Sequence, residues 1–182
     1  MDKAIPKIGF IGMSLALKCR DLVRPRKDIL DEVGIEPGST ILDFGCGPGS
    51  YIVPVMRLIG KDGKVYALDI HPRAMQKVKS IASKFSFSNV ATICSDCATG
   101  LPDKEIDVVL LYDIFHMLSE KNNVLLELHR VLKDNGLLSF SDHHMKEEKI
   151  VSALETSKLF TLQKKNRWTY SFVKKPATRA FS

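Results

Sequence analysis

The feature that most constrains this chain is a five-residue apolar run, Thr40–Phe44, that stops abruptly in Gly45-Cys46-Gly47-Pro48-Gly49. A short apolar run bounded by glycines reads as a buried strand. Helical spacing begins at once, over residues 51–59. A glycine-rich turn between a strand and a helix lets the backbone approach a ligand and take positive φ. The helix that follows offers its free N–H groups in the same place.

The rest of the chain keeps the alternation. KVYALDI (64–70) reads as the second strand, and Pro72 suits the first turn of a helix to about residue 85. Residues 90–95 are the third strand. IDVVLLY (106–112) is the fourth, and its near-continuous hydrophobicity implies burial on both faces. Ser119-Glu120-Lys121 opens a helix over 122–132, Asn135-Gly136 is expected to end it, and 137–141 forms the fifth strand. After a helix around 147–155, the segments 159–164 and 168–174 lie too close for a crossover helix and are expected to form an antiparallel hairpin. Such alternation predicts an α/β fold with a parallel sheet covered on both faces. Upstream, Arg24-Pro25 begins a helix reaching Val33-Gly34. The expected organisation is an arm over residues 1–23 that covers the active site, then one domain over 24–182.

Bulk properties agree with one globular domain. The 182 residues suffice for a single substantial core. Four cysteines do not make a disulfide framework in a chain this long, so a reducing, cytoplasmic setting is expected. The apolar run at 8–17 is too short to span a bilayer and lacks a small-residue cleavage site. No membrane partner is expected. The net charge of +6 is concentrated after Glu155, where bases occur without acids. That segment could meet phosphates or an acidic surface. Lysine protection of an edge strand is the simpler explanation.

Open parallel sheets bind ligands at the carboxyl ends of their strands, so the acids at those ends matter. A dinucleotide fingerprint has glycines at its first, third and sixth positions, but here the sixth is Ser50. Asp43, two residues before the first glycine, suits a cationic amine better than a pyrophosphate. Asp69 ends the second strand and can accept from both hydroxyls of a ribose. Ile70 beside it offers an apolar surface for a base. Asp96 follows the third strand.

ILDFGCGPG, KVYALDI, SDCATGLPDKEIDVVLLYDIFHML and HRVLKDNGLLSFSD together resemble the successive motifs of class I S-adenosylmethionine-dependent methyltransferases. The likeness is greatest to the group that includes ubiquinone and menaquinone C-methyltransferases, and runs from about Thr40 to Asp142. It implies a Rossmann-like three-layer sandwich with a seven-stranded, mostly parallel sheet and an antiparallel C-terminal strand. It implies S-adenosyl-L-methionine as cofactor. Asp43 and the backbone at Gly45 and Gly47 would hold the methionine moiety, with Cys46 and Gly49 completing the loop. Asp69 would take the ribose, and Ile70 would lie against adenine. Asp96 would accept the adenine amino group, the Cys97 N–H would face the ring, and Tyr112 would lie near the methionine end.

The acceptor is less constrained. A sulfonium methyl is already activated, so in-line alignment can suffice, and a general base is needed only where the acceptor loses a proton. Asp113, His116 and His143 are the candidate catalytic residues, with Asp142 and His144 beside them in sequence. Asp113 and Asp142 fall near positions where catechol-type methyltransferases hold magnesium. Here His143 replaces the expected amide, and magnesium prefers oxygen, so no metal is expected. Cys94-x-x-Cys97 lacks the further ligands of a zinc site, and Cys94 is expected in a buried strand. There is no Asn/Asp-Pro-Pro-Tyr after the fourth strand and no Pro-Cys nucleophile, which argues against the usual routes to nucleobase amino groups and to cytosine C5. A small-molecule acceptor is expected. An RNA or protein acceptor docked on the basic hairpin, or a non-catalytic partner subunit, are the alternatives, and a homodimer is possible on this reading.

Overall fold

In the computed structural model, which describes residues 26–175, a short helix α1 (Arg26–Asp31) precedes β1 (Thr40–Phe44) and α2 (Ile52–Ile59). There follow β2 (Lys64–Asp69), α3 (Pro72–Lys84), β3 (Val90–Cys94), β4 (Ile106–Tyr112) and a 3-10 turn, Phe115–Met117. The chain then runs through α4 (Lys121–Val131), β5 (Leu132–Ser141), α5 (Glu147–Thr156), β6 (Phe160–Lys165) and β7 (Tyr170–Lys174). The expected arm over 1–23 and the helix start at Arg24-Pro25 lie outside the described residues.

The seven strands form one sheet in the order β3-β2-β1-β4-β5-β7-β6. β1 to β5 pair in parallel, while β7 pairs antiparallel with both β5 and β6. Only β7 therefore runs against the others, which is the architecture the resemblance implies. The order reverses at β1, whose neighbours are β2 and β4. The carboxyl ends of β1, β2 and β4 thus open a crevice where ligands bind in such sheets.

Side-chain alternation builds a core on each face. Leu42, Phe44, Val109 and Leu111 pack against Val124, Leu125 and Leu128 of α4 and Ile150 and Leu154 of α5. Ile41, Val108 and Leu110 face the opposite way, against Ile29 and Leu30 of α1, Ile52 and Val55 of α2, and Met75 and Val78 of α3. Most of β4 is buried on both faces. Each such Val or Leu contributes roughly 1.5–3 kcal/mol of transfer free energy. Pro54 sits in the first turn of α2, where its missing N–H leaves no helical bond unmade. Pro72 opens α3 as expected, and the His71 side chain caps that helix by accepting from the Arg73 N–H at 3.1 Å.

Three expectations are corrected. Asn135-Gly136 does not end a helix: α4 stops at Val131 because Leu132 is already extended, and β5 runs unbroken from there. The register shift between Ile106↔Leu132 and Val108↔Leu137 marks 133–136 as a bulge inside the strand, which is where this turn-forming pair is used. Cys94 is exposed rather than buried, because β3 is the edge strand. Trp168 precedes the last strand instead of starting it. No helix among the described residues is long and apolar enough to cross a membrane.

Candidate active site

A cavity of about 510 Å³ opens at the carboxyl ends of the central strands. Its wall includes Asp43, Gly45, Cys46, Gly47, Asp69, Ile70, Asp96 and Tyr112, together with Asp113, His116 and His143. The structure thus brings the expected residues together, except two. Gly49 and Cys97 do not line the cavity. A Cβ on Gly49 would sit 3.0 Å from Ile81 Cδ1, so this glycine lets α3 pack against the loop. The Cys97 N–H donates to Ser95 Oγ at 3.2 Å.

The glycine loop is fastened to the neighbouring strand. The Gly45 and Cys46 N–H groups both donate to the Leu68 carbonyl, at 2.8 and 2.9 Å. The Gly47 N–H donates to Asp69 Oδ2 at 2.9 Å, and the His71 N–H to Asp69 Oδ1 at 2.7 Å. Asp69 therefore joins the loop after β1 to the start of α3. Gly45 has φ +78°, and a Cβ there would lie 2.9 Å from Ile114 Cγ1. Only glycine meets both the conformation and the contact.

Asp43 is the most perturbed acid in the cavity. It is buried, and Oδ2 has no hydrogen-bond partner. Desolvation pushes its carboxyl up to about 7, against the opposing pull of the Arg26 guanidinium. Arg26 and Tyr51, which the sequence motifs did not indicate, line the same wall. Arg26 Nη1 donates to the Tyr51 hydroxyl at 2.6 Å, and its guanidinium carbon stands 4.4 Å from the Tyr51 ring centroid. The Tyr51 ring packs on Tyr112 at 5.1 Å. The Tyr112 hydroxyl is 2.6 Å from Ser139 Oγ, and burial pushes its ionisation well above the ordinary range. Tyr112 is thus a neutral wall rather than an acid or base. Burial also raises the thiols of Cys46 and Cys97, which disfavours thiolate chemistry.

Two histidine–aspartate pairs complete the site. His116 Nδ1 lies 3.0 and 2.9 Å from the two oxygens of Asp142, whose side chain is fully buried. Asp142 also accepts from the His116 N–H at 3.0 Å and the His144 N–H at 3.1 Å. A carboxylate can only accept, so Nδ1 carries a proton, and in the neutral ring the lone pair lies on Nε2. His143 Nδ1 lies 2.6 Å from Asp113 Oδ1, which also accepts the His143 N–H at 3.1 Å. The His144 ring lies against both, with centroids 4.3 Å from His116 and 3.9 Å from His143. Ile114, Met117 and Leu118 add an apolar surface beside them. Both aspartates considered for magnesium are thus turned toward histidines. Among the described residues no group of three or more His, Cys, Asp or Glu is arranged to hold a metal ion.

Comparison with known proteins agrees with this architecture. Residues 35–175 match the model of a family described as a methyltransferase domain. The chain is 23% identical over 141 residues to a protein-L-isoaspartate O-methyltransferase of Methanococcus maripaludis, covering 76% of this chain and 64% of that protein. It is 25% identical over 126 residues to a demethylmenaquinone methyltransferase of Geobacillus stearothermophilus, covering 69% of this chain and 54% of that one. It therefore spans less than two thirds of either relative. A crystal structure of a SAM-dependent methyltransferase from Aquifex aeolicus superposes with a TM-score of 0.72 at 26% identity, covering 82% of this chain and 88% of the other. The chain belongs to the methyltransferase-domain family and to its class I, S-adenosylmethionine-dependent branch.

Proposed function

We propose that this protein transfers a methyl group to a small-molecule acceptor that loses a proton in the reaction, with His116 as the general base. The observation that carries this reading is the His116–Asp142 pair, set in the same cavity as the glycine loop. S-adenosylmethionine bound there supplies a methyl already activated on a sulfonium, so the protein needs no Lewis acid to make it reactive.

The donor end fits that cofactor. The partnerless, buried Asp43 Oδ2 calls for a cation, and the methionine ammonium is one. Arg26, on the same wall, suits the adjoining carboxylate, so opposite charges in the protein meet a zwitterion. Asp69 takes the ribose hydroxyls with the lone pairs its backbone donors leave free. Ile70 and Asp96 take the adenine ring and its amino group.

At the acceptor end, Asp142 holds the His116 ring in one tautomer and stabilises the imidazolium that forms when Nε2 accepts the proton. Ile114, Met117 and Leu118 exclude water from an apolar acceptor body. His143, steadied by Asp113, is positioned to bind a polar substituent of the acceptor. A cytoplasmic setting belongs to the same proposal.

The test has two stages. Calorimetry with S-adenosylhomocysteine should show binding, whereas NADH should not bind. Turnover is then screened across phenols, thiols, carbon acids and amines. Methylation of RNA or protein substrates instead, with salt-sensitive binding, would favour docking on the exposed Lys164, Lys165 and Arg167. Cofactor binding without turnover of any class would favour a non-catalytic partner subunit.

A further inference from the structure

Arg26 is the first described residue of α1, which runs to Asp31. Helices gain most of their stability from tertiary packing, so neighbouring elements set its position. One anchor is apolar: Ile29, Leu30 and Val33 pack into the core beside α2. Apolar packing is non-directional and fixes the helix's rotation and slide only loosely.

The second anchor is directional. Glu32 follows α1 and reaches the turn between β6 and β7, 136 residues away in the chain. Its carboxylate accepts the Trp168 N–H at 3.1 and 3.0 Å, through one oxygen each. It also accepts the Thr169 N–H and the Thr169 hydroxyl, both at 3.0 Å. Thr169 is fully buried. Hydrogen bonds to an ionised acceptor are roughly twice as strong as neutral ones. Arg26 lies six residues before Glu32, at the first described position of α1. There its guanidinium donates to Tyr51 and acts electrostatically on Asp43, which lines the same cavity.

We propose that Glu32 is a positioning residue. By clasping α1 to the β6–β7 turn, it sets the register in which Arg26 meets the carboxylate of the bound cofactor's amino-acid moiety. The inference rests on the reading of the donor end given above. It gives the C-terminal hairpin a part in cofactor recognition. The adenosine half stays outside the clasp, because Asp69, Ile70 and Asp96 stand at the ends of β2 and β3.

Two probes separate positioning from general stability. S-adenosylhomocysteine carries the amino-acid moiety, and 5′-methylthioadenosine lacks it. By calorimetry, Glu32→Ala should weaken S-adenosylhomocysteine roughly tenfold, the scale of one lost hydrogen bond to a charged group. Binding of 5′-methylthioadenosine should not change. Glu32→Gln, which keeps one acceptor oxygen but not the charge, should recover part of the loss and still weaken S-adenosylhomocysteine selectively. In an Arg26→Ala background the further change Glu32→Ala should cost nothing more. Unchanged S-adenosylhomocysteine affinity, or equal weakening of both probes, overturns the proposal. If Glu32→Ala does not fold, Glu32→Gln takes its place: selective weakening of S-adenosylhomocysteine supports the clasp, and equal behaviour of the probes overturns it. Failure of the unmodified protein to bind S-adenosylhomocysteine is a different result, and would remove the donor-end reading itself.

Discussion

The two ends of the cavity are assembled in different ways. At the donor end the backbone itself is held: N–H groups of the loop after β1 donate to the Leu68 carbonyl and to Asp69 at the end of β2. Asp43 precedes the glycine loop directly, and Asp69 binds a loop N–H and the His71 N–H that follows it. At the acceptor end side chains pair with side chains: His116 meets Asp142 across 26 residues, and His143 meets Asp113 across 30. These pairs exist because β4 lies beside β5, so their carboxyl ends deliver both segments to one place. The donor end therefore depends on backbone conformation, which tolerates little change. The acceptor end depends on side chains held by side chains, which can be exchanged while the cofactor cradle stays intact.

The sharpest way to break this division is at His116. Its substitution by alanine should lower kcat by roughly 10²–10⁴-fold, the usual contribution of a general base. S-adenosylhomocysteine affinity should stay nearly unchanged, because His116 belongs to the other end. Steady-state kinetics with the acceptor found by screening, beside calorimetry, measures both. A variant that loses cofactor affinity along with rate would show that the two ends are one unit.

Gly45 is where the ends touch, and it should show the next largest effect. Alanine there must adopt φ near +78° and press on Ile114, between Asp113 and His116. The strain is about 1–3 kcal/mol. Gly47→Ala faces φ +51° but open space, so only the conformational cost of about 1–2 kcal/mol remains. Thermal melts with S-adenosylhomocysteine titrations should rank Gly45→Ala as the more damaging, and as the only one of the pair that also slows turnover. Equal effects would mean that the Ile114 contact does not matter.

The same contrast explains what could be read from residues alone. β4 was recognisable because a strand buried on both faces must be almost continuously apolar, and Ile106–Tyr112 is, apart from Asp107 near its start. Asp43 and the glycines were recognisable because a backbone cradle needs its residues at fixed local spacing, and Asp69 because it ends the next strand. Asn135-Gly136 misled because a helix stop and a bulge use the same turn-forming residues, and only the pairing with β4 separates them. His116 and Asp142 were visible as residue types, but their hydrogen bond depends on strand adjacency. Arg26 and Glu32 gave no signal, since a base and an acid on a short helix ordinarily read as solvated surface.

A moderate effect should follow from Asp69. Asp69→Ala is expected to weaken S-adenosylhomocysteine by about 1–3 kcal/mol, through lost hydrogen bonds to the ribose. It also frees the Gly47 N–H, so the loop itself should loosen. Asp69→Asn keeps one acceptor oxygen and should fall between the two. Hydrogen exchange at Gly47 reports the loop, and calorimetry reports the ribose. Normal affinity in Asp69→Ala would remove the ribose assignment.

The smallest effect tests Asp43 through pH. Its folded-state carboxyl titrates at about 7, against an ordinary value of 3.8, because burial disfavours the charge. Between those values the ligand-free folded protein keeps a proton that the unfolded chain has released. Its contribution to stability is complete below 3.8 and is lost as pH rises toward about 7. Asp43→Asn should flatten that part of the stability profile. A cation bound beside Asp43 favours the ionised form. Cofactor binding should therefore release a proton below about 7, and affinity should climb with pH until Asp43 is ionised without help. Calorimetry in phosphate and in Tris, whose ionisation enthalpies differ, counts that proton. Zero release near pH 6 would mean that Asp43 is already charged before binding, and that the cation it awaits is supplied within the protein rather than by the cofactor.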